Sequence, residues 1–278
     1  MTKHRSAPGS LRPGTKETLR RLARASSVGL ITVERAAQAL GVRRHSATAL
    51  MARLSRSGWL TRARRGLYLV LPLEAGQGSA ISVEDPWSLA VELFAPCYIA
   101  GWTAAEHWGL TEQIFRSTFV ATAATVRSTT QTVLGAEFRL ARVHPRRIAT
   151  AKPTWRGALR IPVSDREATL ADALAVPAWV GGVRHLADML AVYRASANWA
   201  PSRLIQCLEA VGSGAAFKRL GLLGEVLFPD SMSLIAACEA HRTSGNVKLD
   251  PAVKGRGKLS KRWGLWVNVT VRGSGGGG

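Results

Sequence analysis

One stretch, TVERAAQALGVRRHSATALMARLSRSGWLTRARRGLYLV from Thr32 to Val70, restricts the fold of its surroundings more than any other part of the chain. Thr32 is suited to cap the start of a helix and Gly41 to end it, because a side-chain oxygen satisfies the first free amides and glycine accepts the left-handed turn beyond the last. Arg44 to Ser57 then carries Ala47, Leu50, Met51 and Leu54 at i, i+3, i+4 and i+7, an apolar stripe on one side of a second helix. Ala37, small and separated by three residues from Gly41 in the turn, lets the two helices approach, and Ala36, Leu40, Ala47 and Leu50 supply what they bury against each other. This is the pattern of a helix-turn-helix. Two β-rich runs follow, Trp59 to Arg62 and Leu67 to Val70, around a basic turn closed by Gly66. Ahead lies TKETLRRLARAS, a short amphipathic helix with Leu19, Leu22 and Ala23 on one face. Three helices and a hairpin are the order of a winged helix-turn-helix domain, expected over 15–72.

The second helix of the motif also predicts its outer face. With the stripe inward, a step of about 100° per residue turns His45, Ala49, Ala52 and Arg56 outward, flanked by Ser46, Thr48 and Arg53. Alanines in the middle of that face let a helix approach a groove floor, and polar side chains at its start can reach base edges. Arg43 stands where a Ser, Thr or Asn cap is usual, with Arg44 opening the helix beside it, so a phosphate is expected to help satisfy the first amides. Arg62, Arg64 and Arg65 on the hairpin suit phosphates or a minor groove.

Charge points the same way. The formal net charge is +20. Residues 1–72 hold 15 Lys and Arg against two acids, residues 73–239 hold 15 against 15, and residues 240–278 hold eight against one. An excess concentrated at the ends implies an anion-binding N-terminal module, a neutral middle with another task and a second basic element near the C-terminus. In the last, Lys254, Arg256, Lys258, Lys261 and Arg262 are interleaved with Gly255 and Gly257 ahead of a WGLW strand, and are expected to be an auxiliary phosphate contact whose glycines let the backbone follow a duplex.

Pro, Gly and Ser at raised density place a domain boundary between Pro72 and Ser82, leaving 82–272 as a larger mixed α/β domain and making the class α+β. Residues 1–14 read as a flexible basic arm and 273–278 as a flexible Gly tail. Asp85 before Pro86 opens a helix, and Ser164 with Glu167 forms a capping box ahead of another. Further helices are predicted near 183–194, 202–211, 215–227 and 231–241, and strands at 117–124, 137–143 and 264–271.

Catalytic constellations are lacking. The six Asp residues never occur as DxD after a Gly-Ser turn, which a nucleotidyltransferase needs for two metals, and KGRGKLSK departs from a P-loop. Cys97, Cys207 and Cys238 form no CxxC, and the six histidines no HExxH, so neither a metal nor a cofactor is expected. Sparse cysteines, no apolar run of membrane-spanning length and no signal-peptide core point to the cytoplasm. Lys218-Arg219 fits helix surface charge and anion contact equally.

YIAGWTAAEHWGL, IPVSDREATLADAL, GGVRHLADML, AAFKRLGLLGEVL and KLDP before WGLWVN, together with the N-terminal pattern, resemble the AbiEi antitoxins of bacterial type IV toxin-antitoxin and abortive-infection systems over most of residues 15–270. The resemblance implies a non-enzymatic, autoregulating transcriptional repressor. Its winged helix would bind inverted repeats in promoter double-stranded DNA, and its C-terminal domain would be needed against a nucleotidyltransferase toxin. Two other classes stay open from the residues alone: a DNA-processing enzyme with a winged-helix targeting domain, marked by carboxylates grouped around a metal, and a protein-interaction module marked by a stable toxin complex.

Overall fold

The computed structural model describes residues 13–27, 29–71, 85–156 and 159–271. Contacts divide the chain into two units, one running to Glu92 and including Thr132–Ala136, the other comprising Leu93–Gln131 and Glu137 onward. The expected domain boundary at 72–82, the Gly tail and all but the end of the basic arm lie outside the described residues.

The first unit is built from α1 (Pro13–Ala25), β1 (Leu30–Thr32), α2 (Val33–Leu40), α3 (Arg44–Arg56), β2 (Leu60–Arg64) and β3 (Leu67–Val70). Thr32 Oγ1 accepts from the Arg35 amide at 3.2 Å, and Gly41 ends α2 with φ 69°, which frees Val42 N–H to reach the Ala37 carbonyl at 3.0 Å. Ala47, Met51 and Leu54 of α3 are buried with Leu19, Leu22, Ala36 and Tyr68, while Leu50 is half-buried. Ala23 departs from expectation. It is exposed, because the stripe of α1 that faces this core runs through Leu19, Leu22 and Ala25, and a residue about 100° on from Leu22 turns outward. Strand β1 was not legible either. Three residues are too few to display a period of two, and they become a strand only by pairing with β3, Leu30 opposite Leu69 and Thr32 opposite Leu67. The sheet order β1-β3-β2 behind three helices completes a winged helix-turn-helix.

After it comes α4 (Pro86–Phe94), where Asp85 Oδ1 accepts from the Trp87 amide at 3.2 Å and Oδ2 from the Ser88 hydroxyl. The elements that follow are β4 (Cys97–Ile99), α5 (Gly101–His107), β5 (Thr118–Thr122), β6 (Thr130–Val133), β7 (Ala136–Arg142), α6 (Pro145–Ile148), β8 (Lys152–Arg156), β9 (Leu159–Val163) and α7 (Arg166–Ala175). The strands form a mixed sheet in the order β6-β7-β5-β4-β9-β8. In β8 and β9 Pro153 stands opposite Pro162, so one rung has no N–H to give on either side. Prolines and exposed charges hide both strands from a search for alternation.

A helical layer follows: α8 (Val183–Ala195), α9 (Pro201–Val211), α10 (Gly214–Leu227) and α11 (Met232–Ala240). Its core includes Leu170, Leu186, Tyr193, Leu208, Leu220 and Trp263. A small sheet of β10 (Val247–Lys248), β11 (Lys258–Ser260) and β12 (Leu265–Val267) ends the described chain, with β12 shorter than the run 264–271 suggests. Helix α7 is capped by Asp165, whose Oδ1 accepts from the Ala168 amide at 2.9 Å, and not by the expected Ser164 and Glu167 box. Ser164 Oγ bonds Thr169 Oγ1, about a turn along the same helix, at 2.7 Å, and Glu167 accepts at 2.6 Å from the Tyr193 hydroxyl, which the fold brings to it.

Lys218 and Arg219 are buried cations with a structural task. Lys218 Nζ donates to the Gly245 carbonyl at 2.6 Å. Arg219 donates to the carbonyls of Leu174, Ala175, Lys248 and Leu249. It thereby takes up the free carbonyls at the end of α7, which a helix terminus always leaves over. Burial lowers its pKa to about 10, a range in which it remains charged at neutral pH. Among the described residues no helix is long and apolar enough to cross a membrane, and no three His, Cys, Asp or Glu side chains are grouped so as to hold a metal ion.

Candidate nucleic-acid interface

The outer face of α3 follows from its inner one. Burying Ala47, Met51 and Leu54 leaves His45, Ser46, Thr48, Ala49, Arg53 and Arg56 exposed and Ala52 half-buried, with the two alanines between the polar ends. Arg43 occupies the N-cap position with extended backbone and makes no side-chain capping bond, so the first amides of α3 are offered outward beside its guanidinium. His45 Nε2 lies 3.2 Å from Ser46 Oγ, and Thr48 Oγ1 is turned back onto the Arg44 carbonyl at 2.9 Å.

The hairpin is anchored by its buried residues. Leu60, Leu67, Tyr68 and Val70 point into the core, and Val33 N–H donates to the Gly66 carbonyl at 3.1 Å, tying the turn to the start of α2. The register shifts between Arg62 and Arg64, a bulge that puts Ala63 outside the ladder. Arg62, Arg64 and Arg65 are all exposed. Gly66 adopts φ 80°, which closes the turn in a conformation few other residues accept.

One acid intrudes on this basic face. Glu34 of α2 receives Arg44 Nε at 2.7 Å, and its carboxyl is held below the usual range by its own backbone amide and by Arg44. Ten residues separate the pair, so no helical spacing announces it. Arg44 is therefore already partnered, whereas Arg43, Arg53, Arg62 and Arg65 have no carboxylate within ion-pair distance among the described residues.

The C-terminal basic residues are dispersed by comparison. Lys254, Arg256, Lys258 and Lys261 are exposed, with the Arg256 guanidinium 5.6 Å from the Trp266 ring centre. Arg262 is engaged by Glu225 and, at 2.9 Å, by Glu239, and lies over Trp263. Gly257 serves packing, because a Cβ there would collide with the Val267 carbonyl. The close approach of the backbone ahead of β11 to the end of β12 demands that glycine.

Over 92% of its length, and 92% of the other chain, the protein superimposes on the crystal structure of the RV2827C protein from Mycobacterium tuberculosis with a TM-score of 0.61 and 21% identity, a likeness of fold. No curated protein matches the chain. Residues 17–71, from within α1 to just past the hairpin, match the family described as transcriptional regulator, AbiEi antitoxin, so that α2, α3, their exposed face and the wing all fall within the match.

Proposed function

We propose that the chain is a repressor that binds inverted repeats in its own promoter through the N-terminal domain and acts as the antitoxin of a type IV pair whose toxin is a nucleotidyltransferase. The observation that carries the reading is the outer face of α3: small side chains at Ala49 and Ala52, bracketed by His45, Ser46, Arg53 and Arg56, with the arginines of the wing beside it. A helix bearing alanines at its middle can lie close to the floor of a major groove, where each base pair presents a distinct set of donors and acceptors. In this reading His45 and Arg56 meet bases or bordering phosphates, Arg43 and Arg53 flanking phosphates, and Arg62, Arg64 and Arg65 the adjacent backbone or minor groove. Arg44 contributes less, because reaching a phosphate means leaving Glu34. Lys254, Arg256, Lys258 and Lys261 form the auxiliary contact, and Arg262 stays with its two carboxylates. The second unit carries the antitoxin activity, with no need for a stable toxin complex.

The test is a titration of the promoter duplex against a scrambled duplex of equal length. His45→Ala and Arg56→Ala are expected to cost about 1–3 kcal/mol per base contact on the promoter and much less on the scrambled duplex. Equal losses on both would show that α3 does not read sequence.

A further inference from the structure

The middle of the chain is neutral only on average. Between Glu137 and Asp165 stand seven Lys and Arg residues and no acid. The fold gathers them on β7, α6 and the β8–β9 ribbon. Strand β8 is the edge of its sheet, and Trp155, the residue before its last, is 66% exposed. Its cross-strand partner Arg160 holds a guanidinium 5.6 Å from the centre of the indole, covering one face of the ring and steadying it.

At the start of the same strand Lys152 Nζ and Arg203 Nη2 converge on Asp165 Oδ2, at 3.0 and 3.4 Å. Arg203 lines a cavity of about 200 Å³ with Arg146, Arg147 and Gln206. Asp172, buried at its base, is paired with Arg147 and accepts from the Tyr98 hydroxyl at 3.1 Å. The lining sets three guanidiniums, Arg146, Arg147 and Arg203, against one carboxylate, Asp172, so the cavity keeps a net positive charge and has room for a phosphate group.

Lys, Arg and Pro on an edge strand guard it against pairing with another sheet, and that accounts for Lys152, Pro153 and Arg156. It does not account for an indole in water, which works against such protection. An exposed aromatic framed by cations is the arrangement that holds single strands: the ring stacks an unpaired base, which a duplex does not offer, and the cations follow the backbone. We propose that the β8–β9 ribbon and the adjoining cavity are a second nucleic-acid site, specific for single strands, in which Trp155 stacks a base and Arg146, Arg147 and Arg203 hold a phosphate.

The test uses the full chain and three fluorescent probes, short oligo(dT), short oligo(U) and the promoter duplex, read by anisotropy. Trp155→Ala is expected to weaken binding of the single-stranded probes about tenfold and to leave duplex binding unchanged, Trp155→Phe to restore most of the loss, and Arg146→Ala to reproduce it. The triple wing variant Arg62→Ala, Arg64→Ala, Arg65→Ala is expected to do the reverse, which separates this site from the proposed operator-binding face. Preference for oligo(U) over oligo(dT) would identify RNA as the ligand, and equal binding a site indifferent to the 2′-hydroxyl. Wild-type protein that binds neither single strand, a Trp155→Ala variant that binds both as wild type does, or equal losses on single strand and duplex would each overturn the proposal.

Discussion

Removing the three arginines of the wing measures how the N-terminal domain holds DNA. Arg62, Arg64 and Arg65 are exposed, while the strands that carry them are fixed from the other side by Leu60, Leu67, Tyr68 and Val70, so replacing all three with Ala leaves the core untouched. Each phosphate neutralised by a side chain releases counterions and adds about 0.9 to the slope of log affinity against log salt. Three such contacts lower the slope by about 2.7 for each protomer on the duplex. Between about 50 and about 200 mM salt the wild type should therefore lose roughly 40-fold more affinity than the variant. The assay is an anisotropy titration of the promoter duplex at several salt concentrations, with a thermal melt to show that the variant is folded. A folded variant with the wild-type slope would refute the placement of the wing on phosphates. Replacing Lys254, Arg256, Lys258 and Lys261 with Ala in the same assay tests the auxiliary segment: an unaltered slope would confine duplex binding to the N-terminal domain.

Three further outcomes are expected. Asp165→Ala should cost about 1–2 kcal/mol near neutral pH through the lost helix cap. Burial raises the Asp165 carboxyl, but the Ala168 amide, Lys152 and Arg203 outweigh it and hold its pKa below the usual value. Its stabilisation is thus complete above the range of an unfolded carboxyl and fades as pH falls through the folded value, so denaturant titrations of wild type and variant should converge in acid; a constant gap would contradict this. Gly221→Ala ought to gain about 1 kcal/mol from helix propensity, yet the new Cβ would collide with the fully buried Trp263 ring, and overpacking of about 1–3 kcal/mol should prevail. A higher melting temperature would reverse that judgement. Incubation of the pure protein with DNA, tRNA and nucleoside triphosphates in Mg²⁺ or Mn²⁺ should give no turnover, and activity abolished by replacing a carboxylate of the second unit would favour the DNA-processing reading instead.

What the sequence determined by itself is local. The Thr32 cap, the Gly41 stop and the stripe of Ala47, Met51 and Leu54 depend on neighbours within a turn or two, and a period of 3.6 residues turns the buried face of α3 directly into its exposed one. The order of elements in the winged helix was legible for the same reason, except for β1, which exists only through its distant partner β3, where Ile31 stands opposite Tyr68. Tertiary structure decided everything that required a distant partner. It took Glu167 out of the capping box by bringing Tyr193 to it, paired Arg44 with Glu34 and Arg262 with Glu225 and Glu239, and buried Arg219 among carbonyls. The run of cations between Glu137 and Asp165 stands in the sequence, but the fold shared it among β7, α6 and the β8–β9 ribbon and brought Arg203 of α9 to it, since electrostatics acts over ångströms in space and residue counts only over positions in a chain.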